Sequence, residues 1–282
     1  MDPDRVIIVI YGKGGVGKST VSSHLSVCFA GMGRRVLLVG CDPKADTSTR
    51  LMGDTRPPTV IGVLERSHHV RVADVLVRSS AGVDVIETGG AEPGTGCGGR
   101  GVAITGQMLE QEPRTLERYD VVVFDVLGDL VCGGFVAPLR LGLASSVFIV
   151  SSEETASLYA ANNIARVVTQ PYYDHVSMGG FVFNLRDDDA PVEALHDFAS
   201  LLHVDVLAVL RRDPVILEAE AEGLTAIQHA PESAISGQFR DLAQAFLART
   251  RDPRRVDVTP LGADAFWAFV RGHRRPSRAG RP

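Results

Sequence analysis

An apolar run that breaks into GKGGVGKST, Gly12 to Thr20, constrains this chain more than any other feature. The run itself, RVIIVIY from Arg5 to Tyr11, has the β-branched density of a strand buried on both faces. The loop satisfies G-x-x-x-x-G-K-[ST]. Gly12, Gly14, Gly15 and Gly17, with Val16 between them, let successive backbone N–H groups close on phosphate oxygens, and Lys18 adds a point charge. Ser19 offers its hydroxyl to Mg2+, and Thr20 completes the nucleotide-binding set. A strand, a phosphate loop and a helix in this order imply a nucleoside triphosphate, while leaving many NTPase families open.

Further runs of the same kind follow: RVLLVG (Arg35 to Gly40), VDVIET (Val83 to Thr88), DVVVFDV (Asp120 to Val126), SVFIVSS (Ser146 to Ser152), GFVFN (Gly180 to Asn184) and VLAVL (Val206 to Leu210). Alternating with helical segments, they predict an α/β fold of three layers, a mostly parallel sheet flanked by helices. Between the first two runs, Val21, Leu25, Cys28, Phe29 and Met32 recur at helical spacing, and Gly31 and Gly33 punctuate the end. Ligands of open parallel sheets bind beyond the carboxyl ends of the strands, where the phosphate loop, Asp42, Cys97 and Asp125 all fall.

The 282 residues suffice for one large domain, and a hydrophobic fraction of 45% is ordinary for a soluble globular chain. No run approaches the roughly eighteen apolar residues of a membrane span, and MDPDRV lacks the features of a signal peptide, so a cytoplasmic protein is expected. Four cysteines in so long a chain make no disulfide framework and read as metal ligands or buried thiols. A formal net charge of −5 gives no general push toward nucleic acid or anionic membrane. From Arg249 the composition shifts; only Ala263 to Val270, around the single Trp267, looks able to form a short helix. The end, with Arg274, Arg275, Arg278 and Arg281, reads as a solvated tail or as a dock for an acidic partner.

The cysteines divide by context. Cys28 falls on an apolar helix face and Cys41 directly after a strand, which fits buried thiols. Cys97, in EPGTGCGGRG, and Cys132, in DVLGDLVCGG, lie in turns glycine-rich enough to bring backbone amides close to a metal cluster. Two thiolates are half the usual four ligands of an iron–sulfur cluster, so two chains would complete it.

The motifs YGKGGVGKST (Tyr11 to Thr20), GCDPKAD (Gly40 to Asp46), ETGGAEPGTGCGGRGV (Glu87 to Val102), FDVLGDLVCGGF (Phe124 to Phe135) and YAANNI (Tyr159 to Ile164) together resemble the iron protein family of nitrogenase and nitrogenase-like reductases. The resemblance covers roughly the first two-thirds of the chain. It implies a P-loop NTPase of the deviant Walker A type, with residues 1–248 as the NTPase and iron–sulfur domain and 249–282 as a C-terminal extension. It implies MgATP and one [4Fe-4S] cluster per homodimer, held by Cys97 and Cys132 of each chain. Lys13 would reach across the dimer to the partner's nucleotide, and Asp125 would hold Mg2+ through water. Spacing alone leaves Asp42 and Asp129 open between helix caps and catalytic carboxylates. The resemblance makes them groups that respond to the γ-phosphate or orient the attacking water, with Lys44 and Asp46 in the same loop. Asn184 and Asp213 would frame the adenine, with Glu220 near the ribose, although RRDP departs from the family pattern of a proline before Arg-Asp. Arg100 would lie on the docking surface around the cluster, where the matching arginine of some relatives is ADP-ribosylated.

The expected function is an ATP-dependent electron donor that accepts one electron from a ferredoxin or flavodoxin and passes it to a two-subunit catalytic reductase. A nitrogenase-like system reducing a tetrapyrrole or a small sulfur compound is the leading expectation, because GCDPKADTSTR carries an extra residue before the arginine and the tail is unusually basic. Nitrogenase reductase itself is the alternative within the class. A partition or division-site ATPase would share the loop but would not need Cys97 and Cys132 in these motifs. An iron–sulfur assembly ATPase would show a C-x-x-C pair, which the sequence lacks.

Overall fold

A computed structural model describes residues 5–91, 98–128, 133–251 and 257–273. Among the described residues eight strands form one sheet: β1 (Val6–Tyr11), β2 (Val36–Gly40), β3 (Val77–Arg78), β4 (Val83–Glu87), β5 (Val121–Asp125), β6 (Ser146–Ser151), β7 (Ser177–Asn184) and β8 (Val206–Leu210). Their order is β3-β4-β2-β5-β1-β6-β7-β8. All neighbours are parallel except β3 and β4. The seven expected strands are present, and the sheet is mostly parallel as expected. The short antiparallel β3 carries too little pattern to be read from sequence.

β1 sits between β5 and β6, so its carboxyl end opens at the centre of the sheet, where connections leave in both directions. Strands β1, β2, β4, β5 and β6 are buried along their whole lengths. Edge strand β8 departs from the expectation, since Val206 to Val209 are only half-buried and Leu210 alone is buried. A strand with one neighbour and incomplete helix cover keeps part of its surface in water.

Helices cover both faces. On one face Val21, Leu25 and Phe29 of the helix Lys18–Gly31 pack with Phe239, Leu242 and Phe246 of the helix Ala234–Arg251. Phe246 stacks on Phe148 of β6 with ring centroids 3.8 Å apart. On the other face the core joins Met108 and Leu109 of the helix Gly98–Gln111 to Leu158 and Ile164 of the helix Thr155–Val168 and Phe198 of the helix Val192–Leu201. Met32, expected on the buried stripe of the first helix, caps that helix instead and is 37% exposed, because the turn at Gly33 (φ 77°) redirects the chain.

The helix Ala263–Gly272 forms around Trp267 much as anticipated. Phe266 is fully buried and packs edge-on against Phe198, while Trp267 is 44% exposed. This part of the extension is therefore anchored in the main core, helped by Asn162, whose side chain both donates to the Leu261 carbonyl and accepts from its N–H. The basic residues Arg274, Arg275, Arg278 and Arg281 lie outside the described residues.

Candidate nucleotide site and the segments beside it

A cavity of about 880 Å3 opens at the carboxyl ends of the strands, lined by the phosphate loop, by Asp42, Lys44 and Asp46, by Asn184, and by Arg211 to Pro214. Local geometry explains the loop. Gly15 and Gly17 have φ of 77° and 96°, a left-handed region that glycine enters without steric cost. Gly12 allows close approach, because a Cβ there would collide with the Val150 carbonyl. The helix Lys18–Gly31 then starts at the loop, so its free N–H groups and dipole face the cavity. Lys18 is nearly buried, with its ammonium 3.4 Å from the Lys13 carbonyl.

Gly14, Val16 and Gly12 shape the loop, while Gly15, Gly17, Lys18, Ser19 and Thr20 line the cavity. Lys13 is not among the lining residues. Its ammonium lies 3.8 Å from Glu154, and both side chains are substantially exposed. Asn184 lines the cavity but donates its amide to the Val16 carbonyl at 2.8 Å, so it braces the loop from β7. Asp213 accepts from the Val215 N–H and caps the helix Pro214–Ala221. Glu220 pairs with Arg50 at 2.8 Å on the cavity wall.

The Asp42 to Ser48 loop is a dense acidic turn. Asp42 accepts from the Lys44 N–H at 2.9 Å, and Ala45 takes a left-handed φ of 52°, unusual for a residue with a Cβ. Burial and then the neighbouring Asp42 raise the Asp46 carboxyl above the usual range. Asp125 is buried at the end of β5. Its Oδ2 accepts from the Thr47 hydroxyl at 2.8 Å, and its Oδ1 is buried without a hydrogen-bond partner among the described residues. A carboxylate oxygen left without a donor, close to further carboxylates, suits a hydrated divalent cation; this donor set fits Mg2+.

Several residues of this framework escaped the sequence reading. Glu87 ends β4 fully buried; its Oε1 accepts from the Ser48 N–H at 2.7 Å while Oε2 has no partner among the described residues. Burial pushes its carboxyl up to about 7, against the opposing pull of the Ser48 hydrogen bond. Gly40 makes the room, since a Cβ there would strike that carboxylate. A carboxylate closing a strand that is apolar but for Asp84 was the available signal. His24 is also fully buried. Because the Ala226 N–H can only donate, His24 Nε2 must accept (3.0 Å), so Nδ1 carries the proton and donates to the Thr20 carbonyl (2.7 Å). Desolvation lowers its pKa to about 4.

Cys97, Asp129 and Cys132 lie outside the described residues, but the chain flanking them is informative. Gly99 and Gly134 meet backbone to backbone, and a Cβ on Gly134 would collide with the Gly99 carbonyl. Phe135 lies over position 98, where a Cβ would stand 3.5 Å from its ring. The segments following the two cysteines therefore converge, in a glycine cradle that fits the approach of a cluster expected to draw on both. Arg100 is exposed on the first turn of the helix Gly98–Gln111. Cys28 and Cys41 are buried and free, as anticipated. Burial pushes the Cys28 thiol up to about 12 and raises that of Cys41 further, so both stay protonated.

Residues 6–270 match the family described as 4Fe-4S iron sulfur cluster binding proteins, NifH/frxC family. Nitrogenase iron protein 2 of Methanothermobacter thermautotrophicus is 43% identical over 267 residues, 95% of this chain and 98% of the relative. The nitrogenase iron protein of Methanospirillum hungatei is 38% identical over 86% of this chain and 88% of its own length. Among solved structures, the cell division ATPase MinD of Pyrococcus furiosus aligns with a TM-score of 0.68 at 27% identity, covering 86% of this chain and 98% of that one. Septum site-determining MinD of Pyrococcus horikoshii, complexed with Mg-ADP, aligns at 0.67 and 26%, over 85% and 94%. The P-loop NTPase fold is shared with both.

Proposed function

From the premise that the chain belongs to the 4Fe-4S iron sulfur cluster binding proteins of the NifH/frxC family, and so is a nitrogenase reductase-like electron donor, we propose that it is the ATP-dependent reductase component of a nitrogenase-like system. It works as a homodimer, takes single electrons from a ferredoxin or flavodoxin, and passes them to a separate two-subunit reductase. The single observation that carries this reading is the backbone contact of Gly99 with Gly134, which joins the segments after Cys97 and Cys132 on the same sheet edge as the phosphate loop. A partition-type ATPase would not need Cys97 and Cys132 in these motifs.

In this reading Cys97 and Cys132 of each of two chains hold one cluster, which when bound supplies a one-electron redox centre. The loop amides and Lys18 hold the nucleotide phosphates, while Ser19 and, through water, Asp125 hold Mg2+. Asp42 and Asp129 sense the γ-phosphate and orient the attacking water. Lys13, turned out of its own cavity, reaches the nucleotide of the second chain. Asn184 and Asp213 bound the adenine end, and Glu220, through its pair with Arg50, bounds the ribose side. Arg100 meets the catalytic partner.

A second reading, nitrogenase reductase itself, is favoured by the names of the relatives at 36–43% identity. The two are separated by mixing the anaerobically purified protein with a nitrogenase catalytic component and measuring MgATP-dependent dinitrogen reduction. For either reading the protein must carry iron and transfer electrons only with MgATP. Lys18→Gln is expected to keep its iron and lose MgATP-dependent transfer. Transfer by the native protein without nucleotide would overturn both.

A further inference from the structure

The nucleotide cavity takes the carboxyl ends of the strands, and a separate basic cluster lies at their amino ends. Strands β2, β4 and β5 start level, with Val36 opposite both Val83 and Val121, so the residues around these positions share one edge. There Arg35, Arg78 and Arg118 line a cavity of about 220 Å3 together with Val36, Asp84 and Tyr119. All three arginines are exposed. Two of them are held by carboxylates. Asp120 accepts from Arg35 Nη2 on Oδ1 at 2.6 Å and from the Arg35 backbone N–H and Nε on Oδ2. Asp84, which is buried, accepts from Arg78 Nη1 on Oδ1 at 3.0 Å and from the hydroxyl of buried Tyr119 on Oδ2 at 2.9 Å. Arg118 has no ion-pair partner among the described residues, and the lining holds three guanidinium groups to one carboxylate. Asp120 offsets one of these charges, and Arg34, which also acts on Asp120, restores it.

We propose that this cavity is a second anion site, one that takes a compact, multiply charged phosphate such as inorganic phosphate or pyrophosphate. The site is independent of the electron-donor reading. Each carboxylate already has both oxygens engaged, so its charge is neutralised locally and its arginine is held in place. A guanidinium fixed in this way loses little rotamer freedom on meeting an anion, and its planar fork matches phosphate oxygens in pairs. Arg118 supplies the charge that the internal pairs leave over. Size narrows the ligand, because pockets for drug-sized molecules run to roughly 300–1,000 Å3 and this one is smaller. It suits a compact anion better than a nucleotide. With a net charge of −5 the chain as a whole does not attract anions, so attraction here comes from the local cluster. The five residues of β2 separate this edge from that of the phosphate loop. At roughly 3.3 Å per residue that is about 16 Å, too far for one phosphate to meet both.

A purely structural cluster would contribute to stability and bind nothing. The test titrates inorganic phosphate and, separately, pyrophosphate into the full-length, nucleotide-free protein without divalent metal, by calorimetry at low salt. Two sites per chain are expected in the native protein, one in the phosphate loop and one at the arginines. Lys18→Gln should weaken only the first. Arg118→Gln should weaken only the second, by about tenfold or more, as the loss of a charge-assisted hydrogen bond predicts. Because Arg118 is exposed and outside the ion pairs, Arg118→Gln should also keep the native melting temperature. Arg78→Gln, which unpairs buried Asp84, should lose both anion affinity and some stability. Binding of either anion at the arginines supports the proposal, and the tighter of the two identifies the ligand. A native titration in Arg118→Gln, or a single site per chain that disappears in Lys18→Gln, overturns it. So does tighter binding of duplex DNA than of pyrophosphate with the same loss in Arg118→Gln, which would make the arginines a nucleic-acid surface.

Discussion

Thr47 and Asp125, 78 residues apart in sequence, are joined by a 2.8 Å hydrogen bond from the threonine hydroxyl to a buried carboxylate oxygen. The bond ties the acidic loop after β2 to the end of β5. Backbone bonds reinforce it, since Cys41 N–H donates to the Asp125 carbonyl at 2.9 Å. Thr47→Val keeps the shape and removes the donor, leaving both oxygens of a buried carboxylate without a hydrogen bond. The expected cost is about 1–3 kcal/mol of stability in the absence of metal. Mg2+ would recover part of it by neutralising Asp125. Thermal melts with and without MgADP check this: the stabilisation by MgADP should be at least as large in Thr47→Val as in the native protein.

Glu87 and His24 set opposite limits on the pH range. His24 is lowered from 6.5 to about 4, so the folded state disfavours its protonation, and stability present above pH 6.5 is lost as pH falls toward 4. Glu87 is raised from 4.5 to about 7, so its contribution is present below pH 4.5 and lost as pH rises through 7. At about 1.4 kcal/mol per pKa unit, each amounts to a few kcal/mol. Glu87→Gln keeps an acceptor for the Ser48 N–H and cannot ionise. The metal-free variant should gain stability on the native protein between pH 6 and 8, measured by denaturant unfolding, and an unchanged difference across that range would contradict the assignment.

Much of this was legible before any coordinates, for reasons particular to the residues. Parallel strands buried on both faces leave continuous apolar runs, and the glycine-punctuated phosphate loop is dictated by backbone geometry that few sequences satisfy. The brace of Asn184 on Val16, the Thr47 bond to Asp125 and the Tyr11 bond to Phe135 were not legible. Each joins segments brought together only by strand order, and none leaves a local pattern. Asn184 shows the consequence: the resemblance assigns it to the adenine, and the structure adds that it lines the cavity while one amide N–H braces the phosphate loop.

Iron should follow two cysteines and ignore the other two. Anaerobically purified protein is expected to hold about four irons per two chains, from four thiolates around one cluster. Cys97→Ala or Cys132→Ala should remove it. Cys28→Ala should not, because a buried thiol held protonated by a pKa near 12 makes a poor ligand. Full iron content in Cys132→Ala would require a different set of ligands.

ATP turnover should be governed by the partner, because a donor that hydrolysed ATP freely when alone would discharge nucleotide energy without moving an electron. The isolated protein is expected to hydrolyse ATP slowly, and a cognate two-subunit reductase to raise the rate and make substrate reduction ATP-dependent. Asp129→Glu should keep docking, measured by co-sedimentation with the partner, yet suppress the stimulated rate by about 100-fold or more, since a longer carboxylate displaces the group proposed to orient water. Asp42, whose carboxylate already accepts from the Lys44 N–H, should not substitute for it. An ATPase rate that is maximal without a reductase and responds instead to DNA or lipid would remove the electron-donor reading and leave a partition-type ATPase built on the same sheet.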